Sequence, residues 1–141
     1  MRVLVFVNHP AHVHLFKNMI WILEERGHTV EILVREKDRA LYLLDKYGFE
    51  YTPIGKFHRS IIGKAYELIT TDYKCYKLAR KFRPDILVDV GIYGAHASKL
   101  IRKPSIIFND TEIANLTNML YVPFASVICT PSCFKKDLGG K

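Results

Sequence analysis

Val3-Leu4-Val5-Phe6-Val7-Asn8-His9-Pro10-Ala11-His12-Val13-His14 is an apolar run that turns polar within one residue and then takes up a different period. From Arg2 to Val7 the residues are β-branched or aromatic without the alternation of a half-exposed strand, so both faces have to be covered, as in a parallel sheet. Val13, Phe16, Ile20 and Leu23 then recur at helical spacing through Arg26, and Gly27 supplies a C-cap. A strand running straight into a helix begins a β-α unit. The polar turn between them lies at the carboxyl end of the first strand, where open α/β sheets bind ligands.

The same rhythm continues outward from that unit. Thr29 to Val34 reads as a second strand, Asp38 as the cap of a helix over Arg39 to Tyr47, and Phe49 to Thr52 as a short third strand after Gly48. Pro53 to Arg59 reads as a loop. Ser60 opens a long helix whose apolar side is expected through Ile62, Ala65, Ile69, Tyr73 and Tyr76, with Lys74, Lys77 and Lys81 turned to water. Pro84 stops that helix, and Ile86 to Val90 forms a fourth strand, followed by a turn framed by Gly91 and Gly94. A helix from about Ala95 to Ile101, a fifth strand at Ser105 to Phe108, a helix begun by Asn109 to Glu112 and a sixth strand at Ser126 to Thr130 complete the series. Alternation of this kind implies a Rossmann-like α/β three-layer sandwich with a mostly parallel sheet of about six strands.

The chain has 141 residues, 49% of them hydrophobic, which suits one domain with a buried core. Residues 1–134 are expected to form it, with 135–141 as a tail or a truncated inter-domain junction. The formal charge of +7 is concentrated between Lys56 and Arg83, where eight basic residues face only Glu67 and Asp72. Such a segment suits nucleic acid, an anionic lipid surface or a phosphorylated substrate, but a solvated helix face is the commoner reason, and no nucleic-acid partner is assigned. Cys75, Cys129 and Cys133 form an odd set without a secretory leader, which points to a reducing cytoplasm. Cys129-x-x-x-Cys133 has no second pair beside it, and no metal is assigned. The apolar stretch Met119 to Cys129 is short and contains Pro123, so a soluble or peripheral protein is expected.

Parallel strands bring their carboxyl ends to one edge, so the turns after strands one, four and five are expected to meet in a crevice. Its lining would be Asn8, His9, His12 and His14, then Gly91, Tyr93, Gly94 and His96, then Asn109, Asp110, Thr111 and Glu112. No Gly-x-Gly-x-x-Gly follows the first strand, which disfavours a nicotinamide dinucleotide. His12 or His14, at the start of a helix, can act as a general base or donate to an anionic group. Gly91 to Gly94 would leave backbone amides available for a phosphate or a sugar hydroxyl. Asp89 is expected near the crevice mouth, since a carboxylate within a strand needs partners or solvent.

The motifs Asn8 to His14 and Phe108-Asn109-Asp110-Thr111-Glu112, with Arg35-Glu36 and Tyr47-Gly48-Phe49, resemble the DUF354 family of archaeal and bacterial proteins. That family is similar to GT-B glycosyltransferases and UDP-N-acetylglucosamine 2-epimerases, so the resemblance implies nucleotide-sugar chemistry on the N-terminal half of a two-domain architecture. It implies a nucleotide sugar as substrate with no cofactor, an unknown acceptor, His12 or His14 as base, and Asp110 and Glu112 in the place of an acidic motif. The nucleotide-gripping half would come from a missing C-terminal domain or a separate partner chain, and turnover without it is expected to be weak. An acceptor-side transferase half is the leading reading. An epimerase-like half, a non-catalytic sugar- or nucleotide-binding module, and a subunit that docks a membrane or partner through the basic helix are the alternatives.

Overall fold

The computed structural model describes residues 1–36, 38–56, 61–111, 115–135 and 138. Along them run β1 (Arg2–Val7), α1 (Pro10–Glu25), β2 (Thr29–Glu36), α2 (Asp38–Lys46), β3 (Thr52–Lys56), α3 (Ile61–Phe82), β4 (Ile86–Asp89), α4 (Ile92–Ile101), β5 (Ser105–Phe108), α5 (Asn115–Tyr121) and β6 (Val127–Cys129). The six strands form one sheet in the order β3-β2-β1-β4-β5-β6, and every pairing is parallel. The chain winds outward from β1 to β3, then returns to the other side of β1 as β4. The crevice between these two directions opens at the carboxyl ends of β1 and β4.

Burial explains the unbroken apolar run at the start. Val3, Val5 and Val7 pack under Val13, Phe16 and Ile20 of α1 and Ala40 and Leu44 of α2. Leu4 and Phe6 point to the opposite face, against Cys75, Ala79 and Phe82 of α3 and Ala97 of α4. A third cluster, with Ala95, Ile107, Tyr121 and Ala125, seats α5 on the β5–β6 end. The result is the Rossmann-like α/β three-layer sandwich that the alternating pattern implies.

Several boundaries move, each for a local reason. α1 begins at Pro10, a turn before Val13, because proline suits the first helical position, where its missing N–H has no partner to lose. α4 begins at Ile92, so Gly94 lies inside the helix and not in a turn. β3 is displaced toward the C-terminus: Phe49 is buried against Trp21, with ring centroids 5.5 Å apart, and an edge strand accommodates Pro53. After β5, the Asn109 side chain accepts from the Thr111 N–H at 2.9 Å in an Asx turn, and Asn109, Asp110 and Thr111 are not helical; Glu112 of the expected helix start lies outside the described residues.

The face of α3 is also corrected. Tyr66, Ile69 and Tyr73 are 68%, 70% and 61% exposed, while Glu67, Thr71, Cys75, Ala79 and Phe82 turn inward. Thr71, Cys75 and Ala79, one per turn, present small side chains inward, which leaves room for the buried Tyr93 ring of α4 beside Cys75. Glu67 is tolerated inside because it pairs with Arg35 at the end of β2.

Candidate functional site

The carboxyl edge of the sheet carries a cleft of about 450 Å³. It is lined by Ala11, His12 and Leu15 of α1, by Val90 and Phe108 at the ends of β4 and β5, and by Asn109, Asp110, Cys129, Thr130 and Pro131. The lining is chiefly apolar, with an imidazole, a carboxamide, a carboxylate and a hydroxyl as its polar side chains. Apolar surface suits the C–H face of a sugar, and the polar groups suit its hydroxyls. Asn109 is a fixed part of this lining. Its N–H donates to the Cys129 carbonyl at 2.8 Å, and its side-chain N–H to Asn118 Oδ1 at 3.2 Å. The Thr111 hydroxyl donates to Asp110 Oδ1 at 3.0 Å, which restrains the carboxylate at the cleft.

Of the three imidazoles in the first turn, one lines the cleft. His9 is the N-cap of α1, its Nδ1 accepting from the Ala11 N–H at 3.3 Å. His14 lies on the exposed surface beside Tyr47, with ring centroids 6.1 Å apart. Two positions along a helix are separated by about 200°, so His12 and His14 point to opposite sides. His12 faces the cleft, and its Nδ1 receives the Asn8 backbone N–H at 3.2 Å.

Adjoining Val90 of the cleft lining stands Asp89, fully buried at the end of β4 and not at the crevice mouth. Its Oδ1 accepts from Asn8 Nδ2 at 2.9 Å and from the Val90 N–H at 2.7 Å, and its Oδ2 from the Gly94 N–H at 2.8 Å. Burial pushes its carboxyl up to about 7, against the opposing pull of those donors. The Gly94 amide is therefore committed to Asp89 and not presented to a ligand, contrary to the expectation for this turn. Gly91 is the N-cap of α4, beside the Asn8 side chain.

Tyr93 and His96 also lie away from the cleft lining. Tyr93 is buried among Leu4, Phe6 and Cys75, with the Arg35 guanidinium 5.8 Å from its ring centre. His96 stitches three helices together: Nδ1 meets Asp72 Oδ2 of α3 and Nε2 meets the Leu120 carbonyl of α5, each at 2.7 Å. Both partners are acceptors, so the ring is satisfied as an imidazolium, and the Asp72 hydrogen bond raises its pKa. Glu112 lies outside the described residues. The contribution of Cys129, Thr130 and Pro131 was missed from the sequence, although the parallel-sheet rule that gathers the ends of β1, β4 and β5 also brings the end of β6 to the same edge.

The family described as "Protein of unknown function (DUF354)" matches residues 1–138. Among curated proteins, the UDP-N-acetylglucosamine--N-acetylmuramyl-(pentapeptide) pyrophosphoryl-undecaprenol N-acetylglucosamine transferase of Buchnera aphidicola is 30% identical over 115 residues, which are 74% of this chain and 33% of that protein. Its counterpart in Pseudomonas fluorescens is 28% identical over 116 residues, with 75% and 33% covered. The chain thus spans about a third of the length of these relatives. Among solved structures, MurG of Acinetobacter baumannii superposes with a TM-score of 0.75 at 17% identity, over 96% of this chain and 43% of that one. The UDP-GlcNAc 2-epimerase of Methanocaldococcus jannaschii gives 0.73 at 11% identity, over 94% and 40%. The shared fold is that of one half of a GT-B glycosyltransferase.

Proposed function

Given that the chain belongs to the DUF354 family, we propose that it forms the acceptor-side half of a GT-B-like glycosyltransferase that uses a nucleotide sugar. The observation that carries this reading is the cleft at the carboxyl edge, where His12, Asn109 and Asp110 share one lining with the apolar Leu15, Phe108 and Pro131. An acceptor hydroxyl seated there has a carboxylate and an imidazole within one small space for its proton. The relatives extend well beyond the matched stretch, so the nucleotide-binding half is supplied by a second domain or a partner chain. Supplied in trans with the C-terminal half of a longer DUF354 relative and labelled UDP-GlcNAc, the protein is expected to transfer the sugar to an acceptor. Asp110→Asn and His12→Ala each lower that rate by roughly 100-fold or more, the scale of a lost proton-transfer or polar group. Release of an epimerised sugar nucleotide in the same assay would establish the epimerase-like alternative, and rates unchanged in both variants would sink the assignment of this cleft.

A second reading, docking to an anionic membrane surface, is favoured by the outer face of α3. Tyr66, Ile69 and Tyr73 stand exposed there, beside the exposed Lys74, Lys77 and Lys81, and the Lys77 ammonium lies 5.4 Å from the Tyr73 ring centre. Aromatic and aliphatic groups flanked by ammonium groups match the interfacial region of a bilayer. Among the described residues no helix is long and apolar enough to cross one. Each lysine near an anionic surface contributes about 1 kcal/mol, so replacing all three by Gln weakens binding to phosphatidylglycerol vesicles by about 100-fold. Equal binding of the triple variant and the wild type in a co-sedimentation assay would remove this reading and leave the first untouched.

A further inference from the structure

Four helices of the domain close in left-handed turns, and two of those turns are built at a disadvantage. α1 and α2 are closed by Gly27 and Gly48, at φ of 75° and 73°. In each, the glycine N–H reaches back three residues and the following N–H five, to Glu24 and Leu23 in the first and to Asp45 and Leu44 in the second. α4 closes with the same pair of bonds, from Arg102 to Lys99 and from Lys103 to Ser98, but the residue held at φ 58° is an arginine. α3 closes with Arg83 at φ 54°, its N–H on the Ala79 carbonyl at 2.8 Å. Among the described residues, Arg83 and Arg102 are the only non-glycine residues with positive φ. A Cβ is disfavoured there, and glycine is the residue that such a turn selects. The helix dipole does not account for the exception, since Arg80, Lys81 and Lys99 already place positive charge in the last turns of α3 and α4.

Both arginines stand at the amino edge of the sheet, opposite the cleft, where α3 and α4 lead into β4 and β5. A hollow of about 280 Å³ lies where the two helices end, with Arg80, Arg83 and Lys103 in its lining. A second, of about 500 Å³, shares Lys103 and adds Lys99, Arg102 and Ser126. Arg83, Lys99, Arg102 and Lys103 are exposed, and among the described residues none pairs with a carboxylate. Asp85, the one acid in these two turns, has its Oδ2 on the Arg2 N–H at 2.8 Å. Like charges gathered in adjoining hollows repel, and an anion seated among them relieves the repulsion. A guanidinium fork also matches the oxygens of a phosphoryl group, which an ammonium group meets only as a point charge. From the left-handed arginines and the paired hollows we infer a binding site for a small molecule that bears two or more phosphoryl groups, its anionic chain lying across Lys103 with Arg83 to one side and Arg102 to the other. Concave seats favour such a compact polyanion over an extended strand or an acidic protein surface. The site does not depend on the transferase reading of the carboxyl-edge cleft.

Inorganic triphosphate is the probe. Calorimetric titration of the wild type at about 0.1 M salt, where the screening length is about 10 Å, is expected to show saturable binding. Orthophosphate, too small to reach both hollows, binds about tenfold more weakly. Arg83→Gly and Arg102→Gly each weaken triphosphate by about tenfold, the scale of one lost charge-assisted contact, and at the same time raise the urea midpoint of unfolding, because glycine suits the left-handed position. Lys103→Gln weakens binding by a similar factor and leaves the midpoint in place, which tests the site without touching either left-handed residue. Arg26→Gln and Lys46→Gln remove the same charge from the ends of α1 and α2, on the other face of the sheet, and keep the affinity to within about twofold. Losses as large in these two controls as in the arginine variants reduce the binding to bulk charge and overturn the site. A wild type that takes up no triphosphate, or that binds orthophosphate equally well, overturns it too, as do glycine variants that bind like the wild type. Single-stranded oligouridylate that binds this edge and is not displaced by excess triphosphate would assign it to nucleic acid instead.

Discussion

Gly94→Ala is expected to lower the free energy of unfolding by about 3 kcal/mol or more, although alanine is the better helix former by about 1 kcal/mol. A Cβ at position 94 would lie 2.6 Å from Asp89 Cβ, 3.1 Å from Oδ2 and 3.2 Å from Cγ. The nearest of these atoms belongs to a central strand and cannot swing aside, so the first turns of α4 have to retreat from β4. That retreat stretches the 2.8 Å bond from the Gly94 N–H to the buried carboxylate. Overpacking costs about 1–3 kcal/mol and a hydrogen bond to a charged group about 1.5–3 kcal/mol, which together outweigh the helix-propensity gain. Urea unfolding of the two proteins measures the difference. A variant as stable as the wild type would show that α4 approaches β4 less closely than described.

The second large effect is a dependence of stability on pH that Asp89 imposes. Its carboxyl is held up to about 7 in the folded chain, chiefly by burial, while the unfolded chain titrates near the ordinary 3.8. A folded value above the unfolded one means that the native state binds the extra proton, so the contribution to stability is fully present below about 3.8 and is lost as pH rises toward 7. Between pH 5 and 7 the loss amounts to roughly 2 kcal/mol, and it levels off above pH 7. Asp89→Asn removes this slope. It is also less stable at pH 5, where the protonated carboxyl keeps a lone pair on each oxygen for the surrounding N–H groups and a carboxamide nitrogen has none. His96, whose pKa is also raised, loses its contribution in the same direction, and comparing variant with wild type cancels that part. The carboxyl 13C resonance of Asp89 reports the midpoint independently, and a midpoint near 4 would refute the account.

Most of the fold was legible because β1 sits in the middle of the sheet. Burial on both faces forces Val3 to Val7 to be apolar without alternation, and that pattern identifies a parallel sheet before any partner strand is known. What misled was composition on α3. Ile69 and Tyr73 look like part of a core stripe, but α3 turns Glu67, Thr71, Cys75, Ala79 and Phe82 inward instead, and the small side chains in the middle of that set are invisible to an apolar-versus-polar reading. In the site, convergence of strand ends correctly brought His12, Asn109 and Asp110 together. It did not tell which loop residues turn inward. His14 follows from helical geometry alone, being two residues from His12. The use of the Gly94 amide by Asp89 does not, because it depends on how closely α4 docks on β4.

The two margins of the sheet have a consequence for behaviour at high concentration. β3 contains Pro53, which has no N–H to offer a neighbour, and its pairing slips register between Val34 and Arg35. β6, at the other margin, is three residues long. Neither rim is a good template for adding a foreign strand. Crowded solutions of this domain are therefore expected to resist edge-to-edge growth of its backbone ladder.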